Sequence, residues 1–359
     1  MTQLKRFQSS LSGSDFDAAL ISSGINQRYI SDFSYSDGYI LVSPHKAWLL
    51  ADFRYIEAAR EKAPTGFEVI MPSRRMSEPL SDLIIQNKFT RIAIEETAVS
   101  CSALAALTEA LPKECELLHG ASKMLNAQRA VKLPYEIDRM SRAQEITDAA
   151  FAHILSFISP EVTERDLALE IEFFMRKNGA EAAAFNTIAV SGPASSLPHG
   201  VPSDVKIRQG LLTMDFGARY EGYCSDMTRT VVVGSIDSEM KKVYDTVLSA
   251  QKNALAGIHV SMQCRKADDL ARSVIRDAGY GDAFGHSLGH GVGMNVHESP
   301  SLSQRAPENS FLAAGNVVTI EPGIYLEGRF GCRIEDMVAI NEDGSIFNFT
   351  KSPKQLIEL

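Results

Sequence analysis

From the start of the chain to about residue 120, short runs rich in β-branched and aliphatic residues alternate with stretches whose apolar positions recur every three or four residues. FDAALISS, GYILVSP, AWLLAD, FEVIMP and RIAIEE predict strands, and FRYIEAAREKA, PLSDLIIQN and SALAALTEALP predict helices. The alternation predicts a small α/β domain. Periodicity lapses over ASKMLNAQRAVKLPY, which ends near Pro134, and this sets a first domain at 1–125 and a second at 126–359.

Beyond that lapse the apolar period lengthens. Ile137, Met140, Ile146, Ile154 and Ile158 fall at helical spacing and predict a long amphipathic helix. A second helix is predicted over VTERDLALEIEFFMRKNGA, where Thr163 and Asp166 form a capping-box pattern and Gly179 is a stop. The pattern returns in MKKVYDTVLSAQKNAL and in ADDLARSVIRDAGYG, the latter ending at Gly279. Asp-Leu-Ala occurs at Asp166 and again at Asp269, each early in the second helix of its half. In each half an acidic hairpin follows, 49 residues on at Asp215 and 52 residues on at Glu321. The order helix, helix, polar loop with histidine, acidic hairpin predicts an internal duplication.

The hairpins carry the chemistry. LLTMDFGA and YCSDMTRTVVV flank Tyr220-Glu221-Gly222, and symmetry about that turn places Asp215 opposite Asp226, with Cβ atoms roughly 5 Å apart. Like charges so opposed destabilise a ladder, so either a cation lies between them or both turn to water beside Arg219 or Arg229. In VVTIEPGIYLEGRFGCRIEDMVAI, Glu321 and Glu335 are symmetric about Gly328. A lone Glu at a strand end is usually just solvated, but solvation does not explain the same device twice. Between the hairpins FGHSLGHGVGMNVHE sets His286, His290 and His297 within twelve residues, out of only eight histidines in the chain. The zincin reading of His286 and His290 fails, because Ser287 stands where that motif needs Glu and three glycines oppose a helix. If the halves bring both hairpins together, four carboxylates and an imidazole converge with a charge near −4 from the acids, which burial does not tolerate uncompensated. Two divalent cations would neutralise it. Oxygen-rich ligation with one nitrogen suits Mn²⁺, Co²⁺ or Fe²⁺ and admits Zn²⁺; such a pair lowers the pKa of water and directs it at a carbonyl or phosphoryl group.

Composition narrows the class. With 359 residues, 45% hydrophobic and 23% charged, the chain reads as a globular protein of two or three domains, and a net charge of −9 offers no basic footprint for nucleic acid. The opening MTQLKRFQSSLSGSDF has no apolar signal core and no stretch has the apolar length of a membrane span, so the expected location is cytoplasmic. Cys101, Cys115, Cys224, Cys264 and Cys332 are scattered without a CxxC pair, which argues against a disulfide framework or a thiolate zinc site.

These residues resemble a known family. DFG with SDMTRT around Asp215 and Asp226, GHGVG and VHE around His290 and His297, IEPGIY at Glu321 and RIED at Glu335 are similar to the pita-bread metallopeptidases, which include methionine aminopeptidases, aminopeptidase P and the Xaa-Pro dipeptidases (prolidases). The resemblance covers about residues 125 to 359, and the first domain looks like the creatinase/prolidase-type domain that precedes it. It implies an α+β pita-bread fold with a pseudo-twofold repeat. It implies two metals, most simply Mn²⁺ or Co²⁺, with Asp215 on one, Asp226 and Glu335 bridging, and His290 and Glu321 on the other. Glu321 then also takes a proton from water, His199 (in SLPHG) and His297 act beside the scissile carbonyl, His286 lies in the substrate pocket, and Arg333 steadies a carboxylate ligand there. Three positions depart from the family pattern: the turn at Gly210-Leu211-Leu212 is one residue short, Phe53 stands where glycine is common, and Cys332 replaces an aliphatic residue. The N-terminal domain favours proline-directed peptidases over methionine aminopeptidases. The implied function is an Xaa-Pro dipeptidase acting on small proline-containing peptides, with aminopeptidase P, acting on longer Xaa-Pro-Xaa peptides, as the alternative. Creatinase, which uses the fold without metal, and ligand-lacking binding proteins of the same fold fit less well. A dipeptidase needs a cation for the free carboxylate; Arg305 is a candidate, though a surface role suits it better. The family also implies a homodimer, in which the SYSDGY loop around Asp37 reaches the partner's site.

Overall fold

A computed structural model describes residues 2–359, and the chain divides into two compact units, the first ending at Arg129 and the second running from Ala130 to Leu359. In the first unit six strands form one sheet in the order Phe67–Ile70, Ala47–Leu50, Tyr39–Val42, Ala18–Ile21, Arg91–Ile94 and Glu116–His119. Ala18–Ile21 and Ala47–Leu50 are buried at every position, which is why they read as unbroken apolar runs instead of alternating ones. The helices Ile56–Lys62, Ser77–Asn87 and Cys101–Ala110 lie where the periodicity predicts them. Phe53 sits in the turn before the first of these with no positive φ, so that turn does not require glycine.

The sequence pattern misses helices Gln3–Ser12, Gly24–Ser31 and Ala121–Ala130 and the strand Glu116–His119. The stretch read as a lapse is the helix Ala121–Ala130, whose inward face carries Ser122, Gln128 and Arg129. Gln128 Nε2 donates to Gln3 O at 3.0 Å, and Arg129 Nη1 donates to Asn26 Oδ1 at 2.9 Å. A buried face satisfied by hydrogen bonds has no apolar stripe to read. Because this helix runs through residue 125, the first unit extends to Arg129.

In the second unit the helices Pro134–Ile154 and Glu164–Lys177 form one pair, and Ser238–Gly257 and Cys264–Asp277 another. The capping box forms as predicted, Asp166 N donating to Thr163 Oγ1 at 3.1 Å and Thr163 N to Asp166 Oδ2 at 3.2 Å. Between the pairs the strands Gly210–Phe216 and Met227–Val233 lie antiparallel, with Ile188–Ser191 on the outer side of the first. Side chains alternate across them. Leu212, Met214, Val231 and Val233 pack with the first helix pair, and Leu211 and Val232 with the second. Along that second face the partners run Leu211 with Val232, Thr213 with Thr230, and Asp215 with Thr228. The face thus grades from apolar to acidic toward one end.

A second sheet runs Glu298–Leu302, Gly289–Gly291, Val317–Ile320, Asp336–Ile340, Ile346–Asn348, and the hairpin Gly323–Leu326 with Phe330–Arg333 grows from its middle. Arg229 joins the two strand systems. Its guanidinium, about 1% exposed, donates to Asp336 Oδ1 at 2.8 Å and to the carbonyls of Glu335, Thr228, Ser352 and Pro353. Asp336 is also met by Lys354 and Asn348. Burial raises the Asp336 carboxyl, but Arg229 and Lys354 outweigh it and hold the group below the ordinary carboxylate range.

Removing one partner of a buried pair leaves an uncompensated charge. Asp336→Asn is expected to cost about 3–5 kcal/mol in urea unfolding of the second unit. Because the folded pKa is depressed, this contribution is present above about pH 4, where an unfolded aspartate is ionised, and is lost as pH falls through the folded value. The gap between wild type and variant should therefore close in acid; a cost under about 1 kcal/mol at neutral pH would contradict the pair's role.

Candidate active site and metal centre

The first hairpin turns through Glu221 (φ 44°) and Gly222 (φ 87°), both left-handed, which is the two-residue type I′ geometry that matches strand twist. The register follows from it: Arg219 pairs with Cys224, Phe216 with Met227 and Asp215 with Thr228. Asp215 therefore faces Thr228 and not Asp226, contrary to the symmetry read from sequence. Asp226 stands two residues from Thr228, a diagonal neighbour of Asp215 on the same face. Between them the backbones close so tightly that a Cβ on Gly217 would lie 1.9 Å from Ser225 O, and only glycine fits. In the second hairpin Ile320 pairs with Asp336 and Gly323 with Arg333, so Glu321 and Glu335 stand opposite each other about Gly328 as the sequence predicts.

Asp215, Asp226, His199, His286, His290, His297, Glu321, Arg333 and Glu335 all line one cavity of about 710 Å³. His290 lies on the short strand Gly289–Gly291, with Nε2 3.2 Å from Glu321 Oε1 and 3.6 Å from Asp226 Oδ2. Ligand atoms of Asp226, His290 and Glu335 lie within 4.8 Å of one another. The His290 and His297 rings meet edge to face at 4.3 Å. Gly210 opens the strand Gly210–Phe216, and His199 and Asp215 share the cavity. Arg305 is exposed and outside the residues that line it. Cys332 is fully buried and pairs with Ile324 in the core, filling an aliphatic position. Arg219 and Arg229 are not what holds Asp215; Arg333 Nη2 donates to its Oδ2 at 2.6 Å.

The polar surroundings orient the acids and leave one oxygen of Asp215 and one of Glu335 unused. Thr228 Oγ1 donates to Glu335 Oε2 at 2.7 Å and accepts from Arg333 Nε at 2.9 Å. Arg333 Nη1 donates to Tyr325 OH at 2.7 Å and to Pro198 O at 3.3 Å. Tyr325 OH lies 2.9 Å from His286 Nε2, and His286 Nδ1 lies 2.8 Å from Ser287 O, a pattern that fits a neutral ring protonated on Nδ1. Thr319 Oγ1 donates to Glu321 Oε1 at 3.1 Å. Asp215 Oδ1 and Glu335 Oε1 are buried with no hydrogen-bond partner. Unpaired buried carboxylate oxygens are costly, and a hard, oxygen-preferring divalent cation is the partner that this donor set fits.

The electrostatics agree. Burial, and then the charges of Glu335, Asp215 and Glu321, push Asp226 far above the ordinary range; burial, and then Glu321 and Asp215, do the same to Glu335. Asp215 is raised by burial, against the pull of Arg333. Glu321 goes the other way. Burial opposes its charge, but the hydrogen bond and charge of His290, with His286 and Arg333, bring it down to about 2. His297 is lowered by burial and by His290, and His286 chiefly by burial.

The sequence profile of metallopeptidase family M24 matches residues 138–342, and that of the creatinase/prolidase N-terminal domain matches residues 3–131. The chain belongs to metallopeptidase family M24. Its two units are accordingly the creatinase-type α/β domain and the pita-bread catalytic domain of an M24 enzyme. It is 42% identical over 344 residues to the uncharacterized peptidase YqhT of Bacillus subtilis, covering 96% of each chain. Among solved structures it is similar to an Xaa-Pro dipeptidase from Bacillus anthracis (TM-score 0.94, 39% identity, 99% of each chain). It is also similar to an X-Pro aminopeptidase from Thermotoga maritima (TM-score 0.91, 37% identity, 99% of this chain and 100% of the other).

Sequence reasoning missed Thr228, Thr319 and Tyr325. Tyr325 ends the IEPGIY motif, which is its only signal; that it bridges Arg333 and His286 depends on the hairpin's register. Arg333 and His286 line the cavity, with Arg333 hydrogen-bonded to Asp215, Thr228, Tyr325 and Pro198 and His286 to Tyr325 and Ser287.

Since Asp226 and Glu335 hold protons above the ordinary range in the metal-stripped protein, cation binding must expel them. Stripped-protein stability should fall as pH rises from about 4 through their folded pKa values, because a raised acid favours the fold only while protonated. The gain in melting temperature on adding Mn²⁺ should therefore widen with pH, and calorimetry in buffers of different ionisation enthalpy should register proton release. A gain that is flat from acid to neutral pH, with no release, would contradict the assigned shifts.

Proposed function

We propose that the chain is an Xaa-Pro dipeptidase, hydrolysing the bond before proline in small peptides. The observation that carries the reading is the convergence of four carboxylates and an imidazole, two of the acids with unpaired oxygens, on a cavity walled by Phe185, Ile188, Pro198 and Val296. A volume of about 710 Å³ suits a dipeptide-sized ligand, and apolar walls suit a prolyl ring, which has no N–H to satisfy. The Bacillus anthracis relative's name supports the substrate class.

In this reading Asp215 would hold one metal, Asp226 and Glu335 would be shared by both, and His290 and Glu321 would complete the second site, with Mn²⁺ or Co²⁺ as the metal and Zn²⁺ or Fe²⁺ compatible. When bound, the pair would supply Lewis acidity that lowers the pKa of water and polarises the carbonyl. Glu321 would take a proton from that water, the role the family resemblance gives it; its Oε1 lies 3.2 Å from His290 Nε2 and accepts from Thr319 Oγ1 at 3.1 Å, which fixes the carboxylate in the cavity. His297, kept neutral by burial and by His290, and His199 hydrogen-bond the carbonyl as charge develops. His286 shapes the substrate pocket, and Arg333 fixes Asp215. The family resemblance implies a homodimer, and a cytoplasmic location is the expectation retained from the sequence.

A second reading, aminopeptidase action on longer Xaa-Pro-Xaa peptides, is favoured by the Thermotoga maritima relative's name and by the position of Arg305 outside the cavity, which leaves the free carboxylate without that partner. Protein stripped of metal and reconstituted with Mn²⁺ or Co²⁺ is offered an Xaa-Pro dipeptide and an Xaa-Pro-Xaa tripeptide. Cleavage confined to the dipeptide is expected; preferential cleavage of the tripeptide favours the aminopeptidase, and cleavage of neither overturns both. Glu321→Gln should lower kcat by about 10²–10⁴, and a variant with wild-type kcat would remove Glu321 from the chemistry.

A further inference from the structure

His199 lies on an excursion, residues 192–202, that leaves the strand Ile188–Ser191 through the 3-10 helix Gly192–Ser196 and supplies Pro198, His199, Gly200, Val201 and Pro202 to the cavity. Loop residues move unless something ties them down, and residues on either flank of this loop converge on one side chain. Glu164, the first residue of the helix Glu164–Lys177, is about 2% exposed. Its Oε1 accepts from Ser191 N at 2.8 Å and Ser191 Oγ at 3.1 Å. Its Oε2 accepts from Ser203 Oγ at 2.9 Å and Ser203 N at 3.3 Å. The main chain repeats the tie, with Glu164 N donating to Val205 O and Arg165 N to Ser203 O, both at 3.0 Å.

The far side of the loop is fixed by the second hairpin. Gly331 N donates to Ser195 Oγ at 2.9 Å, Gly328 N to Ser196 Oγ at 3.3 Å, and Arg333 Nη1 to Pro198 O at 3.3 Å. The hairpin contacts hold the far side of the loop, and the Glu164 carboxylate bridges its two ends.

We propose that Glu164 is a positioning residue for His199: one buried carboxylate closes the base of the 192–202 loop and so fixes the imidazole relative to the carboxylate cluster. The catalytic consequence rests on the peptidase reading above. The closure itself does not.

In Glu164→Gln one oxygen still accepts from Ser191, but the amide NH₂ then meets the Ser203 N–H, donor against donor. Backbone hydrogen exchange over 192–202 is expected to speed up about tenfold, as for loss of a buried hydrogen bond, with bound Mn²⁺ unchanged because no metal-site residue is altered. kcat/KM for an Xaa-Pro dipeptide is expected to fall by about tenfold to a hundredfold, the scale of a sub-ångström to ångström misplacement. In the His199→Ala background the same substitution should cost less than about twofold, because its effect passes through the missing imidazole. Ser203→Ala, which deletes one of the four bonds, should shift exchange and kcat/KM in the same direction by less, and serves if Glu164→Gln does not fold. Unchanged exchange in both variants, or full additivity with His199→Ala, overturns the proposal. Wild-type protein that cleaves no Xaa-Pro peptide counts against the peptidase reading alone, and the exchange data then decide the closure.

Discussion

Four carboxylates share one buried cavity, and the charge they carry is the constraint on which the second unit depends. Moving a single carboxylate out of water costs several kcal/mol even after relaxation, and here Asp226 and Glu335 also feel each other and Glu321. The protein answers with one fixed cation, Arg333, bound to Asp215, and one imidazole, His290, against Glu321. These two groups do not bring Asp226 and Glu335 back to the ordinary range, so without a cation both acids are driven to hold protons. Unpaired oxygens on Asp215 and Glu335 mark where further positive charge belongs, in keeping with membership of a metallopeptidase family.

Holding the acids together takes a scaffold stiffer than the acids' repulsion. The strand pair Gly210–Phe216 and Met227–Val233 is buried between two helix pairs, so a one-residue slip would turn Asp215 or Thr228 from the cavity into apolar packing. Arg229 ties it to Asp336 and to the carbonyl of Glu335 itself, placing a structural ion pair one residue from an acid of the cluster. On the cavity side Arg333, Thr228 and Tyr325 form a hydrogen-bonded chain from Asp215 to His286. The same arginine reaches Pro198, so the group that orients an acid also orients the loop that carries His199.

Much of this was legible in the sequence because it is local. The five acids and imidazoles of the cluster stand in hairpin and loop motifs whose spacing survives even an error in register. Reading the first turn as Tyr220-Glu221-Gly222 places its centre one residue early and shifts every partner by two, so Asp215 is matched with Asp226 instead of Thr228. A shift of two keeps every side chain on its face, which is why the expected cavity residues are the ones that line it. What the sequence hid is tertiary or polar. The helix Ala121–Ala130 buries Gln128 and Arg129, which satisfy no apolar pattern. Tyr325, Thr228 and Glu164 act through partners 8 to 107 residues away, which no spacing rule connects.

The account's central claim is that this cluster is built to be neutralised by divalent cations. Elemental analysis of protein loaded with Mn²⁺ and freed of excess, in wild type and in Glu335→Gln, tests it most directly. Two equivalents per chain in the wild type, with at least one lost in the variant, is the predicted result. Wild-type protein that retains no metal at neutral pH would contradict it.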